Sequence, residues 1–534
     1  MNERDSRFIA GGISNLLSTA PNDRYLRDVL GDARTKTVND SAGIGRLLSF
    51  FGKLDYNFSD KYYLNFTLRR DGSSAFAPDH RWGTFPAVGA AWRLSREPFL
   101  SGNSFFSNLM LRFGWGITGN QRIPAGRYAH QFGGGVGDTF YDIGGTGNSG
   151  LPGYRETAVG NPNLEWEKNK STNVGVDLDA FDGKGSLSVD VYQRQTSNML
   201  FDPRSPGTQG RADAPIVNIG EMRNRGIDFS IGYRGNLGEG TLWSVNFNGS
   251  HYKNKIVSID GVTQFFFGPI STRFGNQVIN KVGEPMGAFY GYIADGYYQD
   301  SVDAAQCGNG NPAGQCWNDG ARPGRIKFRD LNGDGRITAA DQTIIGTPHP
   351  SFTAGLDLSL RHGAWDISAT LFGTFGNKIF DVQKEFYVFR NFSTNVRSDM
   401  LDNSAVLNGP CDKTNGCSGQ LTNPDAKYPR LDVNDAFSRQ LSSYYVESGS
   451  YVRLRSLQIG YAVPPAWISW IPAARIYVQA ENLFTITGYN GLDPALPAAN
   501  FTGAAGDIRD QYRGVDRGAY PSSRTITFGI STTF

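Results

Sequence analysis

The sequence predicts an all-β protein, an antiparallel transmembrane β-barrel with long external loops. Three observations carry that reading. Apolar residues recur with period two in stretches of about ten residues, with aromatics near the ends. The connections between these stretches alternate between short and long. The last stretch runs to the end of the chain, with Ile526, Phe528, Ile530 and Phe534 on one parity and Thr525, Thr527, Ser531 and Thr533 on the other. Alone, that closing strand would suit a soluble sandwich equally well. The loops decide for the barrel, whose turns are tight on one side of the membrane and long on the other.

Composition agrees. Aromatics make up 13% of the 534 residues, and no apolar run approaches the roughly 18 residues of a membrane helix. Mean hydropathy is only -0.39, as a barrel requires, because half of each strand faces water. The 52 basic residues nearly cancel the 50 acidic ones and form no long run, which argues against a nucleic-acid partner. The five histidines, at 80, 130, 251, 349 and 362, are scattered. With no Ser/His/Asp set, glycosidase-like carboxylate pair or phosphate loop, the chain does not read as an enzyme.

The first hairpin is the clearest. Leu48, Phe50, Leu54, Tyr56 and Phe58 alternate with Ser49, Lys53, Asp55 and Asn57; a Ser59-Asp60 turn follows, then Tyr62, Leu64, Phe66 and Leu68 alternate in their turn. Further strands are expected at 83–95, 106–118, 172–181, 185–198, 223–234, 241–254, 352–362, 365–377, 452–463, 474–487 and 523–534, thirteen in all. Long connections fall at 119–171, 199–222, 255–351, 378–451 and 488–522. The strand-like segment 286–299 would break the up-down order, so it belongs inside one large external excursion, 255–351. An antiparallel barrel needs an even strand number, and a sheet left open in lipid exposes unpaired edge groups. Thirteen strands therefore read as the carboxy-terminal part of a larger barrel, and the opening Met-Asn-Glu-Arg-Asp-Ser-Arg-Phe carries no export signal.

Two cysteine pairs, Cys307/Cys316 and Cys411/Cys417, sit in polar loops and suggest local disulfides; free thiols remain the alternative, and the spacing does not suit zinc. One ligand motif has chemistry of its own: Asp330, Asn332, Asp334, Arg336 (through its backbone carbonyl) and Asp341 fall at positions 1, 3, 5, 7 and 12 of a calcium loop, with Gly335 at position 6. The twelfth position is Asp rather than Glu. The other reading is an Asx-rich turn with an apolar plug of Ile337, Ile344 and Ile345 and no Ca2+. Phe265, Phe266, Phe267, Trp317, Phe386, Tyr387 and Phe389 are loop aromatics that would stack on sugar rings, anchor the loops or contact a capping partner protein. Asp71 with Arg69 and Arg70 reads as a solvated pair.

Several segments, in order, resemble the SusC/RagA family of TonB-dependent outer-membrane transporters. They are Lys61-Tyr-Tyr-Leu-Asn-Phe-Thr-Leu-Arg-Arg-Asp-Gly-Ser-Ser74, Arg81-Trp-Gly-Thr-Phe-Pro86, Asn161-Pro-Asn-Leu-Glu-Trp-Glu-Lys168, Asn224-Arg-Gly-Ile227, Gly283-Glu-Pro-Met-Gly-Ala-Phe-Tyr-Gly-Tyr292, Asp330-Leu-Asn-Gly-Asp-Gly335, Gly449-Ser-Tyr-Val-Arg-Leu-Arg455, Asn482-Leu-Phe484 and Gly491-Leu-Asp-Pro494. The resemblance implies a 22-stranded barrel in the bacterial outer membrane, of which these would be the last thirteen strands. Residues 45–534 would then be barrel and residues 1–44 the tail of an extracellular loop, with plug domain and TonB box lacking. It further implies import of oligosaccharides or peptides energised by the TonB complex, with a SusD-like surface lipoprotein as partner and lipid around the wall. A surface receptor or adhesin without transport is the alternative, and a passive porin the third reading.

Overall fold

The computed structural model describes residues 2–533 apart from 13–36, 202–209, 269–274, 306–319, 468–472, 497–512 and short stretches within 101–104, 124–152, 390–396, 413–418 and 433–434. Side chains are described from residue 45 onward, the short ladders at 141–151 and 411–417 excepted.

One antiparallel sheet organises the chain. Its strands follow sequence order without a crossover: β1 (Asn2–Gly12), β2 (Thr37–Phe58), β3 (Tyr62–Ser73), β4 (Trp82–Arg93), β5 (Phe106–Asn120), β6 (Glu167–Ala180), β7 (Gly185–Ser197), β8 (Glu221–Asn236), β9 (Thr241–Ser258), β10 (Phe352–His362), β11 (Trp365–Phe375), β12 (Tyr451–Val463), β13 (Ala473–Thr487) and β14 (Thr525–Thr533). The thirteen strands from β2 on are the thirteen that the alternation predicts. β1 is an addition. It pairs with Thr37–Leu47, whereas β3 pairs with the other half of β2, from Leu47 to Phe58. Residues 2–12, expected as part of a loop tail, pair with the part of β2 that projects past β3. The alternation does not reveal it because Asn2-Glu-Arg-Asp-Ser-Arg7 has no apolar face.

The register gathers the apolar positions into one band. Tyr56 lies opposite Leu64, which lies opposite Ala90. The row continues through Ala90↔Phe113, Phe113↔Val174, Val174↔Val191 and Val191↔Ile227. It resumes at Phe247↔Leu356↔Leu371 and ends at Ile459↔Val478↔Phe528. These side chains are largely exposed, among them Val174 at 54% and Phe528 at 78%. A broad exposed apolar face is what lipid covers. Aromatics border it at the short-turn end, where Tyr62 stacks between Phe58 and Trp92, Tyr233 packs on Trp243, and Trp365 on Tyr461. Phe50 stacks on Trp82 towards the other end. From Phe50 to Phe58 is about 26 Å along a strand, or about 20 Å of thickness at a tilt of about 40°, close to a barrel's apolar band of about 25 Å.

The turns at that end follow their residues. Ser59 and Asp60 both take positive φ, 56° and 53°, as a two-residue hairpin of right-handed twist demands, and the Asn57 side chain both accepts from the Asp60 amide and donates to its carboxylate. Glu97 fastens the next turn, accepting from Lys61, the Tyr62 hydroxyl and the Trp92 indole.

The long connections behave differently. Segments from 278–337, 380–445 and Val515 share one hydrophobic core built on Phe289, Tyr292, Ile326, Phe328, Phe380 and Tyr445. Ala288–Gly291 pairs within a small four-stranded sheet away from the large one. Lys378–Asp381 pairs antiparallel with Val446–Ser448 and parallel with Val515–Asp516, which stitches the last two long loops together. A second core, Phe76, Phe85, Leu164, Trp166 and Ile216, joins the earlier loops. Among the described residues β2 and β14 do not pair with each other, so the sheet is open along Leu48–Phe58 and along β14.

Candidate functional site

The face opposite the apolar band is polar, and its charges are arranged across strands. Arg112 on β5 donates to Asp177 on β6 (Nη2 to Oδ1, 2.8 Å) and reaches over β6 to Asp190 on β7 (Nη2 to Oδ2, 2.8 Å). The residue under that reach is Gly175, which pairs with both Arg112 and Asp190. A Cβ there would lie 2.4 Å from Asp190 Oδ1 and 2.8 Å from Arg112 Nη2. The device recurs: Arg475 on β13 crosses Gly460 on β12 to Asp366 on β11 at 2.8 Å (Nε to Oδ1), and a Cβ on Gly460 would lie 2.3 Å from the guanidinium. Glycine at the middle strand thus lets a long cation lie flat against the wall, an arrangement the alternation does not disclose.

At the long-loop end, sequence motifs meet. The Asn161–Lys168 motif buries Leu164 and Trp166. The Trp166 indole donates to the Arg81 carbonyl (2.9 Å), and Asn161 donates to the Ile216 carbonyl (2.8 Å). The Gly449–Arg455 and Gly491–Pro494 motifs meet as Arg453 and Asp493. Asp71 departs from the solvated pair expected: it is 7% exposed, with Arg69 Nε 2.7 Å away. Arg70 instead lies over Trp82. Of the loop aromatics, Phe389 is a buried anchor against Tyr445, Phe265 is half exposed, Tyr387 lines a cavity, and Trp317 lies outside the described residues.

The loop from Asp330 to Asp341 is tightly wound on its own amides. Asp330 accepts from Gly333 (2.7 Å) and Gly335 (2.8 Å), Asn332 from Asp334 (2.9 Å), and Asp334 from Arg336 (2.8 Å). Gly333 and Gly335 take positive φ, the conformation glycine permits. Asp341 is fully buried and accepts from Leu331 and Thr338. Burial pushes its carboxyl up, but the amides of Thr338, Leu331 and Asn332 outweigh it and hold the carboxyl below its ordinary value. Among the described residues no set of three or more His, Cys, Asp or Glu side chains is gathered for a metal; a cation here would depend on Asn332 and the Arg336 carbonyl as well. Cys307 and Cys316 lie outside the described residues. The backbones of Cys411 and Cys417 face each other across a two-residue ladder, and their side chains lie outside the described residues.

Thirteen consecutive antiparallel strands, apolar and aromatic-rimmed on one face and ion-paired on the other, form the wall of a membrane-spanning β-barrel. The chain belongs to the TonB-dependent receptor-like β-barrel family, whose model matches residues 5–483. It is 32% identical over 530 residues to TonB-dependent receptor P3 of Formosa agariphila, a match covering 98% of this chain and 49% of that protein. Identity is 27% over 526 residues to the TonB-dependent receptor SusC of Bacteroides thetaiotaomicron, covering 94% of this chain and 45% of that one. The fold matches the RagAB peptide transporter with a TM-score of 0.78 at 21% identity, over 100% of this chain and 52% of that chain. The chain thus spans about half the length of the curated relatives it matches. The family is one of outer-membrane receptors rather than enzymes, and this chain is an integral outer-membrane protein.

Proposed function

We propose that this chain supplies wall and external loops to a TonB-energised importer of oligosaccharides or peptides. The long-loop end faces the cell exterior and receives a SusD-like lipoprotein. Further strands complete a 22-stranded barrel, because the exposed edges of β2 and β14 each need a partner in lipid. A plug fills the wide lumen and answers to TonB. The observation that carries this reading is the pair of hydrophobic cores that pack the long loops above an ion-paired wall, a packed rim suited to holding a ligand and a lid. Peptides enter as candidates because the RagAB structure is that of a peptide transporter. The Asp330–Asp341 loop is proposed to take Ca2+, since the buried Asp341 carboxyl lies beside that of Asp330 and is held low by backbone amides.

The test is uptake of labelled oligosaccharides and peptides by cells with and without the gene, and with and without TonB. Uptake of neither class falling on deletion, or a fall independent of TonB, sinks the importer and favours an adhesin.

A further inference from the structure

At the long-loop end, just past β13, lies a cavity of about 290 Å³ lined by Lys384, Tyr387, Arg397, Lys427, Tyr428, Tyr444, Glu447 and Asn490 among others. Each cation leans on a tyrosine: Lys384 lies 4.9 Å from the Tyr444 ring centre, Arg397 5.2 Å from Tyr387 and Lys427 5.2 Å from Tyr428. Beneath them the largely buried Lys384 is matched by Glu447 at 2.8 Å, and the Asn490 amides fix the same carboxylate at 3.0 Å. Above, the balance differs. Arg397 (3.0 Å) and Lys427 (3.4 Å) both contact one carboxylate, Asp399, and their side chains are 38% and 45% exposed. Lys384 is matched twice over, since the buried Asp381 carboxyl accepts from Tyr387 (2.8 Å) and attracts Lys384 as well. The two reachable cations share the one carboxylate of Asp399, so the excess of positive charge is local to the exposed side.

We propose that this cavity is a subsite for an anionic pyranose unit, a sugar ring bearing a carboxylate or a sulfate. The inference rests on the importer reading and narrows its ligand class. The volume lies at the lower bound of ligand pockets, about 300 Å³, and admits one ring-sized unit. Tyr428 is buried, but Tyr387 and Tyr444 are partly exposed; such rings cover the apolar face of a sugar with little loss of side-chain freedom, while Arg397 and Lys427 offer charge-assisted donors to its anionic group. A peptide fits less well. Extended peptides are held by a free strand edge; here Lys384–Tyr387 is helical, and Val446–Ser448, the outer strand of its small sheet, offers an edge only three residues long.

The experiment is calorimetric titration of the purified protein, taken as the whole chain its cell makes, in detergent. The probes are trigalacturonate, a sulfated disaccharide, maltotriose and triglutamate. Expected are binding of one or both acidic sugars, the pair distinguishing carboxylate from sulfate, and at least tenfold weaker binding of maltotriose and triglutamate. Arg397→Gln and Lys427→Gln each weaken the acidic sugar about tenfold or more, Lys427→Arg restores it, and added salt weakens it. Unchanged heat-modifiability shows that the variants fold. Equal affinity for maltotriose or triglutamate, no binding of either acidic sugar, or indifference to both Gln variants overturns the subsite. Loss of binding in the Gln variants with no TonB-dependent uptake by cells leaves the subsite standing and removes the importer. Uptake without binding does the reverse.

Discussion

Arg453 and Asp493, forty residues apart in sequence, meet at 2.5 Å with both side chains 8% exposed. The pair ties the start of β12 to both ends of the last long loop. Arg453 also donates to Thr485 (2.8 Å) and Ser522 (3.1 Å), and the Asp493 carboxylate accepts from the amides of Ala495 (2.8 Å) and Ser522 (2.9 Å). Breaking a buried pair from one side strands the other charge, at about 3–5 kcal/mol. Arg453→Met and Asp493→Asn should each open loop 488–522 to protease. The double variant should cost less than the sum, as denaturant midpoints will show.

The same carboxylate sets a pH limit. Burial alone would raise its pKa, but the amides of Ser522 and Ala495 and the Arg453 guanidinium outweigh burial and hold it below the ordinary value. A depressed carboxylate contributes stability that is complete above the unfolded value of about 3.9 and is lost as pH falls through the folded one. Protease protection of loop 488–522 should therefore hold at neutral pH and fail on acidification below about 3.9. Asp493→Asn should flatten that dependence.

Face assignment can be tested at two consecutive residues. Val174→Arg places a charge in the apolar band between Phe113 and Val191, at about 2–4 kcal/mol. Asn173→Arg, on the opposite face, gives up a donation to Asp190 (3.5 Å) and should cost about 1 kcal/mol or less. Folding titrations in vesicles measure both, and equal costs would reverse the reading of the sheet.

Gly175→Val should push Arg112 away from Asp190. Asp190→Asn then costs about 0.5 kcal/mol in the parent, since the pair is part exposed, and nothing measurable in the Gly175→Val background. Denaturant midpoints of the four proteins give the coupling.

For the Asp330–Asp341 loop the expected result is calcium-binding heat with an affinity in the millimolar range or tighter, weakened in Asp334→Asn. An absence of heat up to millimolar calcium would leave a self-satisfied Asx turn. For Cys411 and Cys417, a bridged peptide should appear in non-reduced digests and vanish on reduction.

Most of the spanning wall is legible in the sequence, because each strand states its two faces by alternation. Phe66 must be outside if Asn65 is inside. The projecting hairpin at β1 is not legible, since it lies past the band where residues are forced to alternate. The loop core is invisible for another reason: Phe289, Phe380 and Val515 belong together only once the wall has brought their loops to one end. Sequence motifs find Arg453 and Asp493 separately and say nothing of their contact. The cavity around Tyr444 escapes likewise, with contributors spread from Lys384 to Asn490; of these only Tyr387 stands out in the sequence.

The strand at Val515–Asp516 has a consequence for assembly. It completes a parallel ladder with Phe380–Asp381, about 135 residues earlier, and such distant pairings are slow to find. Until Val515 and Asp516 have docked, the earlier loops lack the third strand of their small sheet, and Phe380 keeps one side of its strand unpaired.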